Sequence, residues 1–362
     1  PKIINSLSTQ SKNLTLTSRA FHNDILGKYE RFVTKLFNYD KLLPMNTGVE
    51  GGETAVKLAR KWGYLRKKIP TNKAEIIFVN GNFWGRTLAA ISSSDDPVSY
   101  TNFGPYMPGY INIPYNNLNS LEEIFKKNKN ICAFMVEPIQ GEGGDNFFRC
   151  QFLQMLRDLA NENEFLLIYD EVQTGVGITG KMWAHQNFIP NLCECDCPVD
   201  EKPIPDVMSF GKKTQVCGVL AGRRVEEVDK HVFDESSRIN STFGGNLVDM
   251  MRFKLILEVI EEENLLENAK KVGSYLLSEL ENLEHSYPAY LTNSRGLGLW
   301  AAFDLPSMTE RDELWSKMLE NKLLILPSGD KSIRFRPHLN VNKEEIDEAI
   351  GIIELSIKQC LK

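Results

Sequence analysis

The chain has no apolar run approaching the length of a membrane span, so it offers no candidate for a transmembrane helix. It has no excess of positive charge either. Its 42 Lys and Arg stand against 48 Asp and Glu, and a formal charge of -6 leaves no basic footprint for nucleic acid. Seven cysteines in 362 residues are too few to suggest a disulfide framework, and a reducing compartment is the expectation. Repeats and low-complexity tracts are absent. No signal peptide opens the sequence, which begins at Pro1 rather than Met. Targeting information is therefore expected upstream, with mitochondrial matrix and cytoplasm both open. What is present is a composition of 42% hydrophobic and 25% charged residues, enough for a large core or two domains of a soluble enzyme.

The most informative feature is a carboxylate closing the apolar run Phe165-Leu166-Leu167-Ile168-Tyr169-Asp170, together with Gly211-Lys212 after the run Pro205-Asp206-Val207-Met208-Ser209-Phe210. A carboxylate at the end of a buried strand can stay ionised against a protonated ring nitrogen, and a desolvated lysine can form a Schiff base with an aldehyde. These are the two demands that pyridoxal phosphate makes of a protein. Asp170 and Lys212 are the candidates. Lys213 follows directly, and neighbouring side chains in extended chain point to opposite faces, so only one of the two lysines can be the reactive one. Lys212 is favoured by its place directly after Gly211.

The phosphate needs a site of its own. Asn46-Thr47-Gly48-Val49-Glu50-Gly51-Gly52-Glu53 opens a helical pattern, and Thr47, Gly48 and Val49 at a glycine-rich helix start suit a dianion. A second glycine-rich string, Gly175-Val176-Gly177-Ile178-Thr179-Gly180-Lys181, fits nucleotide-binding fingerprints poorly. Four residues separate it from its strand, and Met182 stands where a P-loop needs Ser or Thr. Cys193-Glu194-Cys195-Asp196-Cys197 reads as a surface insertion of free thiols more readily than as a metal site, because no second ligand pair of usual spacing lies nearby.

Periodicity places helices at about 21–37, with the stripe Phe21, Ile25, Tyr29, Phe32, Val33, Leu36 and Phe37, and at 53–67 and 151–162. Strands are expected at 75–79, 131–137, 165–169, 206–210 and 217–221. Their alternation predicts an α/β fold: a mostly parallel sheet with helices on both faces, binding its ligand at the carboxyl ends of the strands. A helical stretch from Leu247 to about Leu283, interrupted near Glu263-Asn264, leads to a smaller α+β region with strands near 299–303, 323–326 and 333–335. The expected division is a partial N-terminal segment at 1–20, a large domain at 21–246, a connecting helical stretch at 247–283 and a small C-terminal domain at 284–362.

The sequence resembles the class III, fold type I aminotransferases. Asn46-Thr47-Gly48-Val49-Glu50, Asn82-Phe83-Trp84-Gly85-Arg86-Thr87 and Phe103-Gly104-Pro105-Tyr106-Met107-Pro108-Gly109 are similar to ornithine aminotransferase. From about Glu137 onward, Glu137-Pro138-Ile139-Gln140-Gly141-Glu142-Gly143-Gly144-Asp145-Asn146, Gly211-Lys212-Lys213-Thr214-Gln215-Val216-Cys217-Gly218 and Ile333-Arg334-Phe335-Arg336-Pro337 are more similar to lysine 6-aminotransferase. Between them the two subfamilies cover the whole chain.

The resemblance implies pyridoxal 5'-phosphate as cofactor, Lys212 as its covalent partner and proton carrier, and Asp170 on the ring nitrogen. It implies Gln173 on the ring hydroxyl, Phe83 stacked on the ring, and Thr242 reaching the phosphate of a neighbouring subunit in a homodimer. For substrate it implies Arg86 on the outer carboxylate, and Arg334 masked by Glu142 until the oxoacid arrives. The family's N-terminal segment, whose aromatic residues line the substrate entrance, would lie upstream of Pro1. Gly51 stands where ornithine enzymes usually carry alanine, which should loosen the helix start slightly. The expected activity is transfer of the terminal amino group of ornithine to 2-oxoglutarate, with lysine as nearly equal alternative. A cofactor-free remnant acting as a binding protein is the rival from another class.

Overall fold

The computed structural model describes residues 1–187 and 203–361. The cysteine cluster Cys193, Cys195 and Cys197 lies outside the described residues. In chain order the strands are β1 (Lys41–Met45), β2 (Glu75–Val79), β3 (Tyr110–Ile113), β4 (Ile131–Val136), β5 (Ile139–Gln140), β6 (Asn146–Phe147) and β7 (Leu166–Asp170). They continue with β8 (Val207–Phe210), β9 (Cys217–Ala221), β10 (Thr292–Leu297), β11 (Trp300–Asp304), β12 (Leu326–Ser328) and β13 (Ser332–Phe335).

Two compact units divide the described residues. Among the described residues, the first comprises Pro1–Pro138, Phe148–Gln173 and 203–258; the second comprises Ile139–Phe147, Thr174–Asn187 and 259–361. The β5–β6 hairpin and the glycine-rich turn at 175–180 thus belong with the C-terminal strands, an arrangement that no contiguous division of the chain describes.

The first unit is built on a seven-stranded sheet of order β1-β9-β8-β7-β4-β2-β3. From β8 to β3 every neighbouring pair is parallel, whereas β8–β9 and β1–β9 are antiparallel. The run at 217–221 is thus an antiparallel strand of the mostly parallel sheet that the sequence leads one to expect. Too few residues separate β8 from β9 for a parallel crossover, which takes roughly a dozen residues, so the chain folds straight back. β1 went unread because Pro44 breaks its pattern; its place at the sheet edge is where a strand accepts proline.

Buried apolar side chains cover both faces of this sheet. Strand β7 alternates: Leu167 and Tyr169 pack with Phe134, Phe152 and Leu156, while Leu166 and Ile168 pack with Leu58 and Trp62 of the helix Gly48–Leu65. Period two then puts Asp170 on the face of that helix. The helix starts five residues earlier than its apolar pattern suggests, because Thr47 and Glu50 form a capping box. The Thr47 hydroxyl accepts from the Glu50 N–H at 3.3 Å, and the Glu50 carboxylate accepts from the N–H groups of Thr47 at 2.8 Å and Asn46 at 2.9 Å.

Another helix starts later than expected. It spans Leu26–Phe37, because the Asn23 side chain accepts from the N–H groups of Ile25 and Leu26, leaving Phe21 outside and 71% exposed. Gly51 does not merely loosen its helix. A Cβ there would stand 2.7 Å from the Gly218 carbonyl oxygen, so glycine lets the helix approach β9 backbone closely.

The second unit carries the antiparallel sheet β10-β11-β13-β12, against which the helix Leu265–Ser286 packs. Its residue Gly273 abuts Gly298 so tightly that a Cβ would fall 2.0 Å from the Gly298 carbonyl carbon. The helical stretch that the periodicity reads as interrupted breaks at Asn264, in the left-handed region at φ 51°. The expected strand at 323–326 is displaced: Leu324 is 89% exposed, and pairing with β13 begins only at Leu326.

Candidate active site

Parallel strands β2, β4, β7 and β8 all end at one rim of the sheet, so the segments that leave them are neighbours. Phe83 and Arg86 follow β2, Glu137 follows β4, Asp170 ends β7 and Lys212 follows β8. Close backbone packing ties these segments to the start of the helix Gly48–Leu65. Val172 wedges between Gly48 and Gly211, where an added Cβ would come within 2.7 Å and 3.2 Å of its Cγ1. On the other side Gly85 lies against Val49, leaving no room for a Cβ (2.2 Å), and has φ +149°. Side chains at any of these three glycines would push the site apart.

Asp170 is 6% exposed and its Oδ1 accepts from the Val172 N–H at 2.9 Å. Burial pushes its carboxyl up to about 6, opposed by the Val172 N–H, the Ser209 hydroxyl and the Lys212 ammonium. A negative charge kept this dry is stabilised by any cation brought to it, which a protonated ring nitrogen supplies. Ser209 reaches Asp170 because the two are register partners across β7 and β8.

Gly211 leads into a single 3-10 turn, Lys212–Thr214, with Lys212 itself left-handed at φ 51°. The expectation that Lys212 and Lys213 diverge as in extended chain is thus corrected in its reason: a turn, not strand alternation, separates them. Lys213 donates to the Gln173 carbonyl oxygen, whereas the Lys212 side chain is exposed and acts electrostatically on Asp170. Both observations favour Lys212 as the reactive amine.

At the helix start, Thr47 is committed to the capping box. The first-turn amides of Gly48 and Val49 have no carbonyl within the helix to bind, as at any helix N-terminus. Two such donors beside a buried carboxylate and an ammonium make a donor set that suits a phosphorylated pyridine. Phe83 is half-buried; its N–H donates to the Glu137 carboxylate at 3.1 Å, and the Arg86 guanidinium lies 5.6 Å from its ring centroid. Gln173 is half-buried at the end of the same segment as Asp170. Thr242 is exposed, next to Ser241, whose hydroxyl accepts from the Asn46 side chain at 2.5 Å and so fixes that loop beside the helix start.

Within the second unit, Arg334 and Glu142 form an ion pair at 2.8 Å, with side-chain exposures of 11% and 34%. Neither Glu137, Ser209 nor Val172 was singled out from sequence. Glu137 could have been, since it closes an apolar strand as Asp170 does; Ser209 and Val172 carry no signal outside the pairing of strands. Among the described residues there is no group of three or more His, Cys, Asp or Glu that could hold a metal ion.

This rim, with a buried carboxylate, an adjacent lysine and a helix start, is that of a pyridoxal phosphate-dependent transaminase. Residues 1–357 match the family model Aminotransferase class-III, and the chain belongs to that family. It is 45% identical over 363 residues to "Ornithine aminotransferase, mitochondrial" of Drosophila melanogaster, covering 99% of this chain and 79% of that one. It is 39% identical over 343 residues to "L-lysine-epsilon aminotransferase" of Mycobacterium bovis, covering 88% of this chain and 74% of that one. Among solved structures, the ornithine aminotransferase of Toxoplasma gondii superposes with a TM-score of 0.89 at 35% identity, covering 100% of this chain and 84% of that chain.

Proposed function

We propose that this chain moves the terminal amino group of ornithine to 2-oxoglutarate, giving glutamate semialdehyde and glutamate. The observation that supports the reading is the packing of Val172 against Gly48 and Gly211, which brings the segments carrying Asp170 and Lys212 to the helix start at Thr47, Gly48 and Val49, while Gly85, between Phe83 and Arg86, lies against Val49. When bound, pyridoxal phosphate supplies the electron sink for the substrate carbon.

The chain's residues divide the remaining work. Asp170 would hold the ring nitrogen in its protonated form, Gln173 would donate to the ring hydroxyl, and Phe83 would stack on the ring. The Gly48 and Val49 amides would hold the phosphate, with Thr47, the third residue of the expected cradle, fixing them in place through its capping box with Glu50. Lys212 would be the residue that holds the cofactor's aldehyde, and its Nζ would carry the proton that the chemistry moves. Arg86 holds the outer carboxylate of the substrate. Arg334, paired with Glu142 while the amine is present, receives the carboxylate of the oxoacid once Glu142 leaves, because a guanidinium can grip a carboxylate in two places. Thr242 reaches the phosphate of a neighbouring subunit, making the working form a homodimer. The mitochondrial names of the ornithine relatives favour the matrix as its compartment.

Lysine is the second reading. Asp145 and Arg336, both in strings of the lysine type, form a buried pair in the second unit. One methylene separates the two substrates, worth about 1–3 kcal/mol in an apolar pocket. Half-reaction rates of the holoenzyme with ornithine and with lysine decide between them: a faster reaction with lysine would overturn the ornithine assignment. A protein that stays colourless with pyridoxal phosphate would instead favour the remnant.

A further inference from the structure

Lys212 has a backbone conformation that a non-glycine residue keeps only when its surroundings hold it there, at φ 51°, and Gln215 does the same three residues later at φ 64°. The two are bound to each other. The Lys212 carbonyl oxygen accepts from the Gln215 backbone N–H at 3.0 Å and from the Gln215 side-chain Nε2 at 3.2 Å, so one residue closes the turn twice. The other end of the same amide is held as well: its Oε1 accepts from Arg252 Nη1 at 2.8 Å, and Arg252 Nη2 lies 3.4 Å from Asp249 Oδ1. Asp249 and Arg252 both stand on the helix Leu247–Glu262, so a chain of contacts runs from a regular helix to the carbonyl group of Lys212. On the other side of Lys212 the backbone is tightly packed, because a Cβ at Gly211 would meet Cys217 Sγ at 2.9 Å and Val172 Cγ1 at 3.2 Å.

We propose that Gln215 and Arg252 are positioning residues for Lys212: Arg252 orients the Gln215 amide, and the amide fixes the Lys212 carbonyl oxygen, so that the lysine leaves its turn in one direction. The inference rests on the reading of Lys212 as the reactive amine. Lys212 is exposed, so the direction of its Cα–Cβ bond is set by the backbone rather than by packing around the side chain. A return of this residue to the right-handed region would turn that bond and carry Nζ, at the end of four methylene groups, to a new place. A misplacement of about 1 Å is enough to slow a reacting group. Gln215 is exposed too, and a lone amide there would be shared with water. Arg252 keeps it on the Lys212 carbonyl, since a hydrogen bond from a charged donor is stronger than one from a neutral donor.

The test compares two forms of the cofactor on the full chain freed of cofactor, with affinity read from quenching of tryptophan fluorescence. Lys212 Nζ condenses with the aldehyde of pyridoxal 5'-phosphate, releasing one water, whereas pyridoxamine 5'-phosphate has an amine in that place and binds without the bond. Gln215→Met keeps the length of the side chain and removes its amide. It should weaken pyridoxal phosphate about five- to tenfold, the worth of one hydrogen bond, and leave pyridoxamine phosphate within about twofold of the parent. Arg252→Met should show the same selective loss, about threefold. Equal weakening of both forms in Gln215→Met, or no weakening of either, would overturn the proposal, because a merely structural residue does not distinguish an aldehyde from an amine. Selective loss in Gln215→Met with none in Arg252→Met would overturn the part given to Arg252. Lys212→Ala separates the underlying reading: parental affinity for pyridoxal phosphate there would sink Lys212 as the reactive amine, whereas a large loss there beside parental affinity in Gln215→Met overturns the positioning role alone. Should Gln215→Met fail to fold, Arg252→Met decides by the same comparison of the two forms.

Discussion

The Arg86 guanidinium lies 5.6 Å from the centroid of the Phe83 ring, and the Phe83 backbone N–H is held by the buried Glu137. One aromatic residue thereby orients the arginine proposed for the substrate's outer carboxylate. An exposed cation over an aromatic face is worth about 0.5–1 kcal/mol. Phe83→Leu, which keeps bulk but loses the ring, should raise the KM of the amino donor roughly two- to fivefold. An unchanged donor KM would show that Arg86 does not depend on this ring.

Asp170 carries a prediction with a definite sign. Its folded carboxyl titrates at about 6, above its ordinary value of 3.8, so the folded state binds this proton more tightly than the unfolded chain does. Stability of the cofactor-free protein should therefore fall as pH rises from about 4 to 6, and remain lower above that window. Asp170→Asn should stabilise the cofactor-free protein at pH 7.5, by an amount on the order of 2 kcal/mol, with the gain shrinking towards pH 4. The same variant should bind pyridoxal phosphate more weakly. Thermal unfolding of both proteins across that pH range checks it; a gain independent of pH would contradict the assignment.

The two lysines should part company. Lys212→Ala should abolish the yellow absorbance that pyridoxal phosphate gives with the parent protein. Lys213→Ala should keep it, although freeing the Gln173 carbonyl oxygen that Lys213 binds should lower thermal stability. Loss of colour in Lys213→Ala alone would reverse the assignment.

Helix packing in the second unit depends on one missing methyl group. Gly273→Ala would place Cβ 2.0 Å from the Gly298 carbonyl carbon, and Gly298 cannot retreat because its own missing Cβ would fall 2.5 Å from Thr179 backbone. A loss of about 2 kcal/mol or more is expected from chemical unfolding. Gly351→Ala, on the helix Lys343–Cys360 with nothing within 4 Å of the added methyl, should be neutral or stabilising by up to about 1 kcal/mol. Equal effects of the two substitutions would refute this account.

Much of the first unit was legible because its strands are buried on both faces and read as unbroken apolar runs. β4 and β7 needed no partner to be recognised, and Asp170 stood out as a charge ending such a run. Edge strands were not legible: β1 contains Pro44, and β3 alternates weakly over four residues. The direction of β9 was equally hidden, since strand residues do not encode it and only the short link to β8 does. At the site, the sequence favoured Lys212 over Lys213 only by its place after Gly211, and the turn that tells them apart came from φ angles.

The sequence by itself determined the chemistry available to this protein: an acid at a strand end, a lysine after a glycine and a helix opening on amides, because local pattern governs burial and capping. Tertiary structure alone decided which groups act together. Val172 joins Gly48 to Gly211, and a hairpin begun at residue 139 folds with strands nearly two hundred residues later, bringing Asp145 to Arg336. Close packing of backbone on backbone made those choices, and it leaves no trace in the order of side chains along the chain.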